Sequence, residues 1–274
     1  MTKQLIPQEL LQKSNKILFI THLALGDYTY LQNFFQAFAQ KFPHLKIHIW
    51  VDEVRRTPKE AAWVYLKKYA LYDWLAECSF IAKIYQETYS PDLYQQSILE
   101  GQQETYPLVV SLCTLRPAMY ASLARQIAPH GFVAGMKKKT NFFTLHHHLA
   151  YRKLDAQMNP DALAGSCQHI SATYAHWFEN FFGLLVEEAQ RFPFLTIPEQ
   201  WTNYAQKQLA QWQFDSPSLV FINPFAKNSK RCWSLSCVVD LISAMREDST
   251  WRETCFIVNV VPEEMTKTRD FFQK

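Results

Sequence analysis

From Lys16 to Thr21 the chain reads KILFIT, a short β-branched and aromatic run of the kind that forms a strand buried on both faces. After Gly26-Asp27 the period changes. Leu31, Phe34, Phe35, Phe38 and Phe42 recur at steps of three, one, three and four, which places them on one face of a helix. Pro43 stops that helix, and KIHIWV (Lys46 to Val51) reads as a second strand. Strand, tight turn, helix and strand in this order predict parallel strands joined by a right-handed crossover. The rhythm continues with helices over Ala61 to Leu71, Leu75 to Phe80, Leu93 to Glu100 and Pro117 to Ala128. Strands fall at Ile81 to Ile84, Leu108 to Leu112 and Gly131 to Ala134. This is the pattern of an α/β layered domain.

Between Asn141 and Phe192 the pattern becomes mainly helical. Trp177, Phe178, Phe181 and Phe182 sit at helical spacing there and predict core or interdomain packing. FPFLTIP (Phe192 to Pro198) interrupts it. A helix over Trp201 to Trp212 then leads into a second cycle: strand Leu219 to Asn223, loop Pro224 to Ser234, helix Leu235 to Met245, strand Cys255 to Val261. Two domains follow, residues 1–190 and residues 191–274. Two parallel strands cannot bury both faces and close a core alone. The second domain is therefore expected to be either truncated in this sequence or reduced and leaning on the first.

Composition narrows the function. A chain of 274 residues, 48% of them hydrophobic, has material for one large or two medium cores. The net charge of +3 is modest, and Lys and Arg are scattered except at Lys137-Lys138-Lys139, so no basic face for nucleic acid is present. Six cysteines lie far apart without a CxxC pair, and the polar start MTKQLIPQELLQKSNK lacks an apolar signal core, which predicts a reducing, cytoplasmic location. No run approaches the roughly 18 to 20 apolar residues that span a bilayer. Any membrane contact is expected to be peripheral.

Two loops carry candidate chemistry. Gly26-Asp27 occupies the turn after the first strand, and in open parallel sheets ligands collect at the carboxyl ends of strands. A glycine there permits a tight turn and close approach of a substrate, and an aspartate projects as a general base. The alternative, which spacing alone favours, is that Asp27 is the helix N-cap and bonds the free amide hydrogens of the first turn. The second loop, INPFAKNSKRCWSL (Ile222 to Leu235), sets Lys230 and Arg231 just before a helix start, with Asn223 and Ser229 beside them. Amide hydrogens and cations at that place suit a diphosphate; the alternative is a solvated loop anchored to the core by Trp233. Lys137 and Lys138 are candidates for an anionic acceptor or lipid head group, against a plain solvated turn. His146-His147-His148 makes a poor metal site, because consecutive side chains diverge. G-x-G-x-x-G, Walker A and G-x-S-x-G patterns are absent from the sequence, which argues against NAD or FAD, P-loop and hydrolase chemistry.

Taken together, ILFITHLALGDYTYLQNFFQAFAQKFPHLKIHIWVDE and VFINPFAKNSKRCWSLSCVVDLI resemble the two signatures of glycosyltransferase family 9, the ADP-heptose lipopolysaccharide heptosyltransferases. The resemblance implies a GT-B fold, two Rossmann-like domains facing a cleft that holds the active site. It implies Asp27 as the base that takes the acceptor hydroxyl proton, and Lys230 as the cation that steadies the departing nucleotide diphosphate. Transfer would be inverting and independent of any metal or cofactor. The implied partners are a nucleotide-sugar donor and a glycan or lipid-linked acceptor, the latter compatible with peripheral contact at the inner membrane.

The chain also departs from the family pattern. Asn33 stands where the family often has proline, and Phe225 and Ala226 replace small residues in the second loop. The family's D-[ST]-G-x-x-H motif has no match before Lys274. For the acidic residue that contacts the ribose in the family, the resemblance implies Glu263 or Glu264, after the last strand. Two other readings stand beside the transferase: a catalytically silent glycan- or nucleotide-binding homologue without a complete donor site, and an unrelated α/β nucleotide-binding protein.

Overall fold

The computed structural model describes residues 4–22, 24–67, 70–140, 146–160, 169–212, 218–226, 229–260, 265, 268 and 269. The chain divides into two compact units, Met1–Thr196 and Ile197–Lys274.

The first unit runs α1 (Gln8–Lys13), β1 (Lys16–Thr21), α2 (Leu25–Lys41), β2 (Lys46–Val51), α3 (Glu60–Lys67), α4 (Ala70–Ala76), β3 (Ile81–Tyr85) and α5 (Pro91–Gln103). It continues with β4 (Leu108–Ser111), α6 (Pro117–Ile127), β5 (Phe132–Met136), α7 (His146–Tyr151), β6 (Ala156–Met158) and α8 (Ile170–Phe182). Its strands form one parallel sheet in the order β3-β2-β1-β4-β5-β6. The order reverses between β1 and β4, which makes their carboxyl ends a topological switch point.

Alternation along the strands supplies the two faces. Phe19, Ile47, Ile49, Val110 and Met136 point to one side, where α2, α4 and α8 cover them. Leu18, Ile20, Trp50, Val109 and Val133 point to the other, under α5, α6 and α7. Tyr28, Leu31, Phe34, Phe35 and Phe38 are the buried face of α2. Phe42, expected on that helix, is its C-cap, and its amide donates to the Phe38 carbonyl at 2.9 Å. Gly183 ends α8 in the left-handed region at φ 60°, a conformation that favours glycine.

The structure corrects the expected pattern in two places. The helix expected over Leu75 to Phe80 stops at Ala76; the Cys78 amide donates to Leu75 O and the Ile81 amide to Cys78 O, so the chain turns directly into β3. The stretch expected to be mainly helical contains β6. Its three residues, AQM, have no β-branched side chain and no period to read. Asp155 sets the register instead: its amide donates to Val133 O at 2.8 Å and its carboxylate accepts the Val133 amide at 2.7 Å.

The second unit holds α9 (Glu199–Gln211), β7 (Leu219–Ile222), α10 (Leu235–Glu247) and β8 (Cys255–Val258), with β7 and β8 paired in parallel. Two strands give a small sheet, and Val238 is the one buried residue among those described in α9 and α10. Leu219 and Phe221 of β7 remain exposed.

A polar network crosses the amino-terminal half of the main sheet. His48 is 6% exposed and bonds through Nδ1 to Tyr106 Oη at 2.7 Å, which in turn meets Tyr85 Oη at 3.0 Å. Lys16 and Lys83 both pair with Glu104. Burial lowers the His48 pKa to about 4, further than the neighbouring Glu104 raises it. The native state therefore binds fewer protons at this ring than the unfolded chain between about pH 6.5 and pH 4. Stability should fall as the pH drops through that window, by roughly 3 kcal/mol from this group. Denaturation midpoints taken from pH 7 to pH 4.5 should show the loss, and His48→Gln should flatten it; an equal slope in the variant would remove His48 as the cause.

Candidate functional site

The carboxyl ends of β1 and β4 open into a cavity of about 320 Å³. Thr21 ends β1 and His22 follows it, Leu112 and Thr114 come just after β4, Asp27 and Leu31 from α2, and Thr173, Tyr174 and Trp177 from α8. Lys138, just past β5, completes the polar wall. The site thus lies at the switch point, where helices leave to opposite faces of the sheet and leave a crevice.

Asp27 and Gly26 do not occupy a loop. The helix begins at Leu25 with Ala24 as its N-cap, so Gly26 and Asp27 lie in its first turn. Asp27 is consequently not the N-cap: the third residue of the helix, it reaches back so that its Oδ2 accepts the Ala24 amide at 3.2 Å. This is one half of a capping box, and it fixes the carboxylate at the positive end of α2. Nor is Gly26 needed for a tight turn. It is helical, without a positive φ, and a Cβ built on it meets nothing within 4 Å.

The groups around Asp27 differ in charge state. Burial lowers the His22 pKa, against an opposing pull from the Asp27 and Asp52 carboxylates, so the imidazole is neutral near pH 7. Burial, followed by the charge of Asp27, raises Tyr174, which keeps its phenol protonated. His22 stacks on Tyr120 with centroids 5.9 Å apart, and Tyr120 Oη donates to Asp52 Oδ2 at 2.6 Å. Asp52 is also paired with Arg56, whose guanidinium lies 3.4 Å from the Tyr94 ring centroid. In the β4 to α6 connection Arg116 holds φ 52°, ψ 43° directly before Pro117, a left-handed conformation that a side chain rarely adopts.

Lys137 and Lys138 separate in role. The Lys137 amide donates to Met158 O at 2.7 Å, extending the β5 to β6 pairing. Lys138 is shared between the Asp27 cavity and a second, open cavity of about 250 Å³ that Lys137, Lys139, Gln157 and Asn159 also line. The histidine run opens α7, where His148 Nε2 lies 2.6 Å from Thr140 Oγ1. Among the described residues no group of three or more His, Cys, Asp or Glu is placed to hold a metal.

In the second unit, Asn223, Lys230 and Arg231 lie in the connection from β7 to α10. Lys230 and Arg231 are exposed on a one-turn 3-10 helix, Ser229–Arg231; the side chain of Ser229 lies outside the described residues. Asn259 Nδ2 donates to Asn223 Oδ1 at 3.2 Å, joining the carboxyl ends of both strands. Ser234 caps α10 by accepting the Cys237 amide at 3.2 Å. Trp233 does not anchor the loop to a core: the residue is 54% exposed, and the tie is its amide, which donates to Pro224 O at 2.9 Å. Glu263 and Glu264 lie outside the described residues.

Sequence reasoning missed His22, Tyr174 and Asn259. His22 lies one residue past the first strand, where the switch-point rule could have found it. Tyr174 was hidden in an aromatic helix whose other rings pack the core.

Known structures share this fold along nearly the whole chain. The crystal structure of the glycosyl transferase family 9 protein from Veillonella parvula DSM 2008 matches with a TM-score of 0.67 at 15% identity, covering 96% of this chain and 67% of that one. E. coli heptosyltransferase WaaC with ADP matches at 0.58 and 14%, covering 94% and 72%. The same enzyme with ADP-2-deoxy-2-fluoro heptose matches at 0.53 and 15%, covering 93% and 72%. No protein-family model and no curated protein matches the sequence. At these identities the likeness establishes the fold, the α/β architecture of these glycosyltransferases.

The empty space over Gly26 generates a stability test. Gly26→Ala places a methyl group where nothing stands, in a helical conformation that alanine prefers, and should stabilise the protein by up to about 1 kcal/mol. Urea denaturation checks this; a destabilised variant would show that the backbone at Gly26 is not helical.

Proposed function

We propose that the protein is an inverting glycosyltransferase that moves a heptose-like sugar from a nucleotide diphosphate to a glycan or lipopolysaccharide-core hydroxyl. The observation that carries this reading is the Asp27 carboxylate at the mouth of the switch-point cavity, in a fold shared with glycosyltransferases. The acceptor hydroxyl enters that cavity and gives its proton to Asp27 as its oxygen attacks the anomeric carbon of the donor. The new glycosidic bond forms as the bond from that carbon to the diphosphate oxygen breaks, and the electron pair leaves with the nucleotide. In a single displacement the configuration inverts.

Lys230, with Arg231 beside it and Asn223 at the strand end, takes the charge that develops on the departing diphosphate. A cation can do this without a metal. Gly26 leaves room for the acceptor over the first turn of α2. Lys138, and Lys137 next to it, meet anionic groups on the acceptor. Glu263 or Glu264 is the proposed ribose contact of the donor. A lipid-linked acceptor would bring the protein to a membrane surface peripherally; among the described residues no helix is long and apolar enough to cross one. The domain division proposed from sequence, residues 1–190 and 191–274, assigns the acceptor to the first part and the donor to the second.

Asp27→Asn is nearly isosteric and keeps an oxygen for the Ala24 amide. It should preserve the fold and nucleotide-sugar binding while reducing transfer at least about a hundredfold, the usual range for a general base. Turnover with ADP-heptose near that of the unaltered protein would reject Asp27 as base. Lys230→Ala should weaken nucleotide-diphosphate binding more than acceptor binding, measured by calorimetry with ADP and with a core oligosaccharide. Equal losses for both ligands would remove the leaving-group role. Binding of both ligands without any transfer would instead favour the silent homologue.

A further inference from the structure

Two side chains of the Asp27 cavity hold a buried ring nitrogen without a partner among the described residues: Nε1 of Trp177 and Nδ1 of His22. Trp177 is a member of the hydrophobic core. His22 is not, and its ring is half-buried at the cavity wall. Stacking on Tyr120 holds the ring from behind, and Tyr120 is itself fixed through its bond to the buried, Arg56-paired Asp52. The orientation of this imidazole is therefore built into the unit before any ligand arrives.

A neutral imidazole carries one proton on one of its two nitrogens. A sealed N–H with no acceptor is costly, as at Trp177 Nε1, and an unprotonated Nδ1 in His22 avoids a second one in the same cavity. The unpartnered, sealed Nδ1 accordingly assigns the proton to Nε2. His22 then offers the cavity a hydrogen-bond donor, while Asp27 offers it an acceptor.

We propose that His22 is a specificity-determining residue for the acceptor: its Nε2–H donates to a second hydroxyl oxygen of the ligand whose reacting hydroxyl faces Asp27. A donor and a carboxylate lining one small cavity select a polyhydroxylated ligand over a simple alcohol. This rests on the transferase reading above, which places the acceptor in this cavity.

The test uses the full chain with ADP-heptose as donor and a deacylated lipopolysaccharide core oligosaccharide as acceptor. His22→Phe retains the ring that stacks on Tyr120 and removes both nitrogens; His22→Gln restores a donor. In the phenylalanine variant KM for the oligosaccharide should rise roughly tenfold, as for one lost hydrogen bond, with KM for ADP-heptose within about twofold. The glutamine variant should recover part of the loss. Oligosaccharide KM within twofold of the unaltered protein in His22→Phe, with Asp27→Asn still inactive, overturns the His22 role and leaves the transferase reading standing. The imidazole nitrogen resonances of His22, followed by NMR as oligosaccharide is added without donor, supply the second measurement. A shift without any transfer supports the His22 contact and rejects catalysis, whereas neither shift nor transfer rejects both.

Discussion

Phe19 is the contact on which the first unit depends. It sits at the middle of β1, the strand flanked by β2 on one side and β4 on the other, and its ring meets Phe35 and Phe38 of α2 at 5.0 and 5.5 Å. From the other direction it meets Phe178 and Phe182 of α8 at 6.2 and 5.8 Å. One side chain thus joins the second element of the sheet's first crossover to the last helix of the unit. Buried aromatic residues dominate core energetics, and edge-to-face pairs add to the area they bury. Two walls of the Asp27 cavity are the first turn of α2 and the Thr173, Tyr174 and Trp177 side of α8, so the spacing of that cavity is set by hydrophobic packing one to three helical turns away.

Local hydrogen bonds then tune what packing has positioned. The Asp27 carboxylate takes one amide of its own helix start, which orients it without neutralising it. His22 is discharged by burial and Tyr174 is kept as a phenol, whereas Lys138 brings a cation to the same cavity. Asp52 lies close by but is already engaged by Arg56 and Tyr120, which separates two nearby carboxylates into a buried, structural one and an exposed one. That division of labour follows from solvation: a charge that is buried must be paired, and one at a cavity mouth need not be.

The fold was legible where a period is long or a strand is rich in branched residues. KILFIT, KIHIWV and LVVS all form parallel strands, and the phenylalanine spacing of α2 gave its buried face. β6 was illegible because tertiary bonds from Asp155, not propensity, make AQM a strand. The end of α4 was illegible because Cys78 and Phe80 are drawn under the core after the helix has already stopped. At the site, the sequence singled out Gly26-Asp27 through its strand-turn-helix context. It misread the local backbone, since a glycine before an acidic residue suggests a turn as readily as a first helical turn. Lys138, just past β5, and Tyr174 of α8 share the cavity with Asp27 from more than a hundred residues away, and no local pattern reports such a meeting.

The eight tryptophans divide four and four between the two units, but not alike in burial. Trp50, Trp63, Trp74 and Trp177 of the first unit are buried or half-buried, whereas Trp201, Trp212, Trp233 and Trp251 of the second are all exposed. Indole emission shifts to the blue in apolar surroundings and to the red in water, and a dissolved quencher such as acrylamide reaches the second class first. The intrinsic fluorescence of the chain is therefore a sum of two signals, one reporting on the unit that carries Asp27 and the other on the unit that carries Lys230.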